Sequence, residues 1–114
     1  MRQKIVSSGK FLQSDGTMKH FVVEILFSVP FEKVEPVVPA HREFLQGGYD
    51  SGLLLMSGPQ NPRVGGVLIA RAESLEAVQA FVDQDPYKLN GVATYRFIEF
   101  NPVKRQAFME SWVA

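Results

Sequence analysis

Apolar residues along this chain follow two spacings, which predict a definite order of strands and helices. Between His20 and Val29 they fall on every second position, the spacing of a β-strand. After Val37, and again after the N-cap residue Ser74, they recur every three or four positions, the spacing of an amphipathic helix. The predicted strands and helices, in chain order, are residues 20–29, 37–51, 53–57, 67–72, 75–83 and 92–100.

The order strand, helix, strand, strand, helix, strand predicts an α+β fold of the ferredoxin-like βαββαβ type, with both helices on one face of an antiparallel sheet. The first strand also carries Val22 and Leu26 on the side opposite to Phe21, Val23 and Ile25. Two helices cover only one face of a sheet, so the apolar residues on the other face need a different cover. We therefore predict a homodimer in which two sheets pack face to face.

The two ends of the chain differ from its body, which we predict to be a domain of residues 18–105. Residues 1–17 are polar and rich in serine, glycine and lysine, and we predict an N-terminal extension folded as a short hairpin arm. In the tail, residues 106–114, Phe108 and Trp112 are four positions apart, which predicts a short amphipathic helix at the C-terminus.

Glycine and proline mark the points at which the predicted elements bend or end. Gly47 and Gly48 lie inside the first helix, where each costs about 1 kcal/mol relative to alanine. Either another element approaches the backbone closely there, or the helix bends. Gly52 is placed to take the left-handed conformation that ends this helix. Gly58 and Pro59 are predicted to stop the strand that follows.

Composition excludes several classes of function. The 114 residues include 12 lysines and arginines and 12 aspartates and glutamates, so no net charge attracts nucleic acid or an anionic membrane. The absence of cysteine excludes disulfides, iron–sulfur clusters and thiolate zinc sites. No apolar run reaches the roughly 20 residues that span a bilayer, and polar residues at 7–10 interrupt any signal peptide. We therefore expect a cytoplasmic protein.

The chain also lacks the common cofactor motifs. It has no glycine-rich phosphate loop followed by lysine, no G-x-G-x-x-G after a strand and no G-x-S-x-G. With only two histidines and no cysteine, a metal site would need several carboxylates. We predict no metal and no organic cofactor, and neither nucleic acid nor a membrane as a partner.

His41 is the first candidate for chemistry. If Val37 opens the apolar stripe of the first helix, then His41, Leu45 and Gly48 lie on the side that faces the core. A free imidazole has a pKa of about 6.5, so an inward-facing ring suits an acid or a base near neutral pH. The same position also suits a structural histidine whose nitrogens bind a backbone carbonyl and a hydroxyl.

Asp85 is the candidate carboxylate that would orient the ring of His41 and stabilise its charged form. Because Pro86 follows it, Asp85 also fits a helix N-cap with proline at the first helical position, so a structural role stays open. Ser57 has two open roles as well, since its hydroxyl can line a ligand site or bond within a turn.

Three arginines have different predicted roles. Arg63 lies in a proline-containing loop, where it either clamps a carboxylate in bidentate fashion or is solvated. Arg71 and Arg96 lie on predicted strands, and we expect them to pair with Glu24 and Glu99 across the sheet.

Several short motifs, taken in order, resemble the YciI-like (YCII-related) domain family over about residues 20–105. They are Pro39-Ala40-His41, Gly52-Leu53-Leu54-Leu55-Met56-Ser57-Gly58-Pro59, Gly65-Gly66-Val67-Leu68-Ile69-Ala70, Asp85-Pro86-Tyr87, Gly91-Val92 and Pro102-Val103-Lys104. The resemblance implies a dimeric α+β barrel with a pocket that holds His41 and Asp85 as a pair and is lined by the Ser57-Gly58-Pro59 turn. A dehydrochlorinase-type lyase acting on an aromatic compound is one precedent it implies, and related barrels include muconolactone isomerases. The N-terminal arm and the tail beyond Lys104 depart from the family pattern.

Two functions are compatible with these residues. The first is a cofactor-independent enzyme of lyase or isomerase type, acting by elimination or proton abstraction on a small anionic or aromatic metabolite. His41 would move the proton, Asp85 would hold its ring, Ser57 and Arg63 would position the substrate, and Tyr87 would wall the pocket. The alternative is a dimeric small-molecule-binding or accessory module without catalysis, in which the same pair is structural or contacts a ligand.

Overall fold

The computed structural model describes residues 17–114, which form one four-stranded antiparallel sheet with the main helices on one face. The predicted N-terminal arm lies, apart from Thr17, outside these residues. The strands are β1 (Lys19–Phe27), β2 (Leu54–Pro59), β3 (Gly65–Ala72) and β4 (Ala93–Phe100). The helices are α1 (Phe31–Val34), α2 (Val38–Asp50), α3 (Leu75–Val82), α4 (Pro86–Leu89) and α5 (Glu110–Val113), with 3-10 turns at Glu35–Val37 and Ala107–Met109.

The strand order in the sheet is β2-β3-β1-β4, so β1 lies inside the sheet and pairs with both β3 and β4. All three pairings are antiparallel. Together with the two longer helices, α2 and α3, this order confirms the predicted α+β fold of ferredoxin-like type.

The core lies between the sheet and the helices. Phe21, Val23 and Ile25 alternate along β1 and are almost completely buried, as the period-2 pattern predicts. They pack in one cluster with Val78 and Val82, which lie four positions apart on α3. Burial of a side chain of this size contributes about 1.5–3 kcal/mol, so this cluster holds the helices on the sheet.

The opposite face of the sheet, which we call the outer face, carries the second set of apolar side chains. Leu26 and Ile98 are each 38% exposed, and Phe100 is 41% exposed. Between them Arg96 pairs with Glu24 at 3.5 Å, as predicted from the strand pattern. The expected pairing of Arg71 with a glutamate is wrong, because Glu99 is the register partner of Phe21 and therefore points to the helix side.

Arg71 instead fastens the C-terminal tail to the end of the outer face. Its Nε donates to the carbonyl of Gly52 at 2.9 Å and its Nη1 to the carbonyl of Trp112 at 2.7 Å. The indole of Trp112 also packs on the ring of His20, with centroids 5.5 Å apart. Phe108 is 80% exposed, so it does not share a buried face with Trp112.

The two glycines inside α2 differ in the space around them, and only Gly48 is closely packed. A Cβ at this position would lie 2.7 Å from Cζ of Phe81 and 2.8 Å from Cδ1 of Leu54, whereas nothing lies within 4 Å of one at Gly47. The close approach of α3 and β2 to the helix backbone therefore accounts for Gly48. Gly52 has a φ of +81°, the left-handed conformation predicted for it.

Strand β2 runs through Gly58 and Pro59, so the prediction that these residues stop it is wrong. Pro59 is the register partner of Gly66 on β3. The reason is that β2 is an edge strand, where the missing N–H of proline removes no ladder hydrogen bond on the solvent side. Among residues 17–114, no helix is long and apolar enough to cross a membrane.

Candidate functional site

Helix α2 directs His41 inward, as its apolar stripe predicts. His41 is 8% exposed, and Leu45 and Gly48 on the same stripe are also buried. Two prolines precede or open the helix at positions 36 and 39, where the missing N–H groups have no intrahelical partner in any case. The packing of this stripe against the sheet leaves the imidazole near the surface of the core rather than at its centre.

Asp85 supplies the partner of His41 and caps helix α4 with the same oxygen. Its Oδ1 accepts from the backbone N–H of Tyr87 at 3.0 Å, and Pro86 occupies the first helical position. Nδ1 of His41 lies 2.8 Å from the same Oδ1. The contact with His41 and the cap of α4 therefore coexist in one carboxylate. The hydrogen bond also selects the ring tautomer, because the neutral imidazole donates Nδ1–H to the carboxylate and keeps Nε2 as its acceptor.

Tyr95 completes the surroundings of this carboxylate and was not anticipated from the sequence. Its hydroxyl donates to Oδ2 of Asp85 at 2.7 Å. Burial raises the pKa of the Tyr95 phenol well above its usual range, and the hydrogen bond to Asp85 raises it further. Tyr95 is the register partner of Ile25, so the alternation of β4 was the available signal that it faces the helix side.

Tyr87 fixes the plane of the His41 ring. The two rings are stacked, with centroids 3.8 Å apart and planes within 5° of each other. Phe27 meets Tyr87 edge-on, with centroids 5.7 Å apart. Burial, followed by the charge of Asp85, raises the pKa of the Tyr87 phenol. Tyr87 follows Asp85 by two residues. The short helix α4 and its N-cap therefore place both the hydrogen-bond partner and the stacking partner of His41.

A cavity of about 200 Å³ adjoins His41 on the side away from Asp85. The predicted site residues that line it are His41, Ser57, Gly58, Pro59, Arg63 and Tyr87. Asp85 is completely buried and stands behind His41, outside the lining. The structure thus brings all seven predicted residues to one place, although they come from α2, β2, the loop after β2 and the segment 85–87.

Ser57 has a partner that sequence reasoning missed. Its Oγ lies 2.6 Å from the hydroxyl of Tyr49, and either atom can donate. Ser57 is the register partner of Leu68 and faces the helix side of the sheet. Tyr49 lies two turns beyond His41 on α2, and that helical spacing was the signal that could have found it.

The mouth of the cavity is cationic. Arg63 lies over the ring of Phe31, with its guanidinium carbon 4.6 Å from the ring centroid. Arg42, the residue after His41, also lines the cavity and was not singled out from the sequence. Within residues 17–114, no three histidine, aspartate or glutamate side chains are grouped so that they could hold a metal ion.

This geometry suits proton transfer at Nε2 of His41. Nδ1 is occupied by Asp85, which leaves Nε2 as the ring nitrogen that a molecule in the cavity reaches. A carboxylate bonded to the far nitrogen stabilises the imidazolium that forms when Nε2 accepts a proton. The stacked Tyr87 ring restrains the imidazole during that change.

Comparison with known proteins gives a family match and two kinds of relative. The family model described as "YCII-related domain" matches residues 17–101. Protein YciI from Escherichia coli O6:H1 (strain CFT073) is 41% identical over 85 residues, which cover 65% of this chain and 84% of that protein. Protein YciI from Shigella flexneri matches to the same extent.

Among solved structures, the chain is similar to 5-chloro-2-hydroxyhydroquinone dehydrochlorinase (TftG) from Burkholderia phenoliruptrix AC1100, determined in complex with 2,5-dihydroxybenzoquinone. The TM-score is 0.59 at 22% sequence identity, and the match covers 76% of this chain and 92% of that one. At this identity the similarity shows a shared fold.

Proposed function

The chain belongs to the YCII-related domain family, and on that premise we propose that it is a cofactor-independent enzyme that moves a proton on a small metabolite. His41 acts as the general base and acid through Nε2. Asp85 holds the ring and stabilises its charged form. The observation that carries the proposal is the 2.8 Å contact between Nδ1 of His41 and Oδ1 of Asp85 in the wall of a ligand-sized cavity.

The reaction class we propose is proton abstraction from a carbon next to a carbonyl. Nε2 of His41 takes the proton, and the C–H electron pair moves onto the carbonyl oxygen as an enolate. In elimination, the enolate electrons re-form the carbonyl as a leaving group departs from the neighbouring carbon, and the imidazolium returns its proton to that leaving group or to water. In isomerisation, the enolate is conjugated to a double bond, and the imidazolium protonates the far end of this dienolate. The hydroxyl of Ser57 lines the same cavity, and a donor there would stabilise the enolate oxygen.

The arrangement of Ser57 and Tyr49 supports this assignment of roles. When the Tyr49 hydroxyl donates to Oγ of Ser57, the proton of Ser57 is free to point into the cavity. A base and a hydroxyl donor then act on the same molecule, which is what formation of an enolate requires. The name of the structural neighbour, a dehydrochlorinase of a hydroquinone, is compatible with elimination of this kind.

The test is deuterium incorporation into small carbonyl acids in D₂O, followed by NMR, together with chloride release from 5-chloro-2-hydroxyhydroquinone. The His41→Asn variant keeps the approximate size of the side chain and removes the base. We expect it to lose activity by about 10²–10⁴-fold, the usual contribution of general acid–base catalysis. His20→Asn is the matched control, because His20 packs against the C-terminal tail rather than the cavity. Full activity of a folded His41→Asn variant overturns the proposal.

The burial of His41 favours a second candidate, a binding module without catalysis. The ring is 8% exposed and is covered on one face by Tyr87. In such a module the cavity binds a small molecule, and the pair with Asp85 serves only to position His41. Saturable ligand binding without deuterium exchange or chloride release in the wild-type protein would support this candidate over the enzyme.

We also propose that the protein is a homodimer in which the outer faces of two sheets pack together. The half-exposed apolar side chains of this face lie on β1 and on the edge strand β4, on both sides of the pair of Glu24 and Arg96. Trp112 already covers the end of the face at His20, so the rows from Val22 to Leu26 are the part that a second copy would cover. Burial of that surface supplies the free energy of association.

A further inference from the structure

The arginines of residues 17–114 divide into paired and unpaired groups, and the unpaired ones share a location. Arg96 pairs with Glu24 and Arg105 with Glu110, while Arg71 donates to two backbone carbonyls. Arg42 and Arg63 make no ion pair with an aspartate or glutamate of the described residues. Both of them line the cavity beside His41.

Among residues 17–114, the charged side chains that line this cavity are all positive. Its described lining contains Arg42 and Arg63 and no aspartate or glutamate. The carboxylate of Asp85 stands behind His41, where three donors already use it. Both guanidinium charges act on the Tyr87 phenol, where they oppose the larger effect of burial on its pKa. Because both arginines line the same cavity, a ligand bound there is exposed to two positive charges.

The rest of the lining suits the flat apolar body of a small ring. Its apolar side chains on the helix side of the sheet come from the strands and from α2, and they are Ile25, Phe27, Val38, Leu45 and Leu68. The cavity volume is about 200 Å³, and an apolar cavity of about 150 Å³ in another protein takes up benzene. A six-membered ring with a short substituent therefore matches the size of this cavity.

We propose that the cavity binds a monocyclic aromatic carboxylate, with the ring against the apolar wall and the carboxylate between Arg42 and Arg63. This inference rests on the proposed function in that it names the substrate class for the same site. The substrate would carry the reacting carbonyl and its neighbouring C–H on the ring or on a short substituent, whereas benzoate carries neither and serves as a binding probe. Arginine is suited to the role because its planar guanidinium matches a carboxylate in bidentate geometry. Arg63 is held in place by its contact with Phe31, so it loses little freedom on binding.

Calorimetric titration of the full chain with benzoate tests this proposal, with benzamide as the neutral probe of the same shape. We expect benzoate to bind at least about tenfold more tightly, because charge-assisted hydrogen bonds to arginine are stronger than neutral ones. Arg42→Gln and Arg63→Gln should each weaken benzoate binding by about tenfold. Both side chains are at the surface, so neither change endangers the fold.

Arg105→Gln is the matched control, because Arg105 lies outside the cavity lining and pairs with Glu110. Benzoate binding by this variant should equal that of the wild type. Equal affinity for benzoate and benzamide, no saturable benzoate binding, or an equal loss in the Arg105→Gln variant would overturn the proposal. Retention of wild-type affinity by Arg42→Gln or Arg63→Gln would overturn the role of that residue.

The titration measures binding without turnover, so its failure is distinct from failure of the proposed enzyme. If benzoate binds as expected but His41→Asn keeps full exchange activity, only the catalytic role of His41 is wrong. If benzoate does not bind but His41→Asn loses exchange activity, only the substrate class is wrong.

Discussion

The hydroxyl of Tyr95 donates to Oδ2 of Asp85 at 2.7 Å, on the carboxylate oxygen that His41 does not use. The other oxygen accepts from His41 and from the backbone of Tyr87. One buried carboxylate is therefore shared by three donors that lie on different elements. Substitutions at this carboxylate or its donors separate structural from catalytic contributions.

Replacement of Asp85 by asparagine should leave the fold and abolish most of the activity. Asparagine caps a helix about as well as aspartate, so the cap of α4 persists. The neutral amide cannot stabilise an imidazolium, and we expect deuterium exchange to slow by about 10²–10⁴-fold. The free energy of unfolding should fall by only about 1–3 kcal/mol, because hydrogen bonds to a charged acceptor become neutral ones. Exchange rates and urea unfolding measure the two effects.

The control for this change is Ser74→Asn, a substitution at the N-cap of α3, where Ser74 accepts from the backbone of Ala77. It alters a cap outside the cavity lining and should leave the exchange rate unchanged. A wild-type exchange rate in Asp85→Asn would show that Asp85 is only a cap.

Removal of the Tyr95 hydroxyl should change the dependence of stability on alkaline pH. The pKa of Tyr95 is raised in the folded protein by burial and by Asp85, whereas in the unfolded chain it is about 10. Because the unfolded state then releases a proton that the folded state keeps, stability falls as the pH rises above about 10. Tyr95→Phe should show a smaller fall between about pH 9 and pH 11, measured by urea unfolding.

Ser74→Asn is the comparison variant for this experiment, because it alters a helix cap without removing a titratable group. It should keep the alkaline slope of the wild type. An identical slope in the wild type and Tyr95→Phe would contradict the raised pKa of Tyr95.

Protonation of His20 should weaken the attachment of the C-terminal tail in mild acid. Burial lowers the pKa of His20, and the charges of Arg71 and Arg105 lower it further, against an opposing hydrogen bond with the backbone of Val113. The unfolded histidine, with a pKa of about 6.5, therefore binds a proton more readily than the folded one. The contribution of the neutral His20 ring to stability is therefore fully present above about pH 6.5, and it is lost as the pH falls below that value.

The fluorescence of Trp112, the only tryptophan of the chain, reports this change because the indole contacts His20. A red shift of its emission on acidification is expected in the wild type. In the His20→Gln variant, the part of this red shift that is caused by protonation of His20 should be absent. The same acid transition in both proteins would assign it to other groups.

The two adjacent glycines of α2 should respond oppositely to alanine. Gly48→Ala forces a methyl group to within 2.7 Å of Phe81 and should destabilise the protein by about 1–3 kcal/mol. Gly47→Ala meets open space and should stabilise it by up to about 1 kcal/mol, because alanine has the better helix propensity. Urea unfolding of the two variants compares them directly. Equal effects would contradict the close packing at Gly48.

If the outer faces of two copies pack together, a charged substitution on this face should weaken association. Ile98→Lys places a charge on the outer face, beside Val22, and should weaken association by about tenfold or more. Leu89→Lys, on the exposed side of α4, is the matched control and should leave association unchanged. Light scattering at micromolar concentrations measures both. A wild-type monomer under these conditions would refute the dimer.

The sequence alone determined the order of elements and the inward direction of His41. Both follow from local periodicity, because a helix repeats every 3.6 residues and a strand every two, whatever the rest of the chain does. The N-cap at Asp85 and the left-handed glycine at position 52 are likewise local, since each depends on a few neighbouring residues.

Only the tertiary structure decided which groups meet at the site. His41 and Asp85 are 44 positions apart, and their contact depends on how α2 and α4 pack on the sheet. The donor at Tyr95, the partner of Ser57 and the shared location of Arg42 and Arg63 depend on the same packing. The strand through Pro59 was missed because only the sheet order shows that β2 is an edge. Periodicity specifies the direction of each side chain, whereas strand order, register and helix packing specify its neighbours.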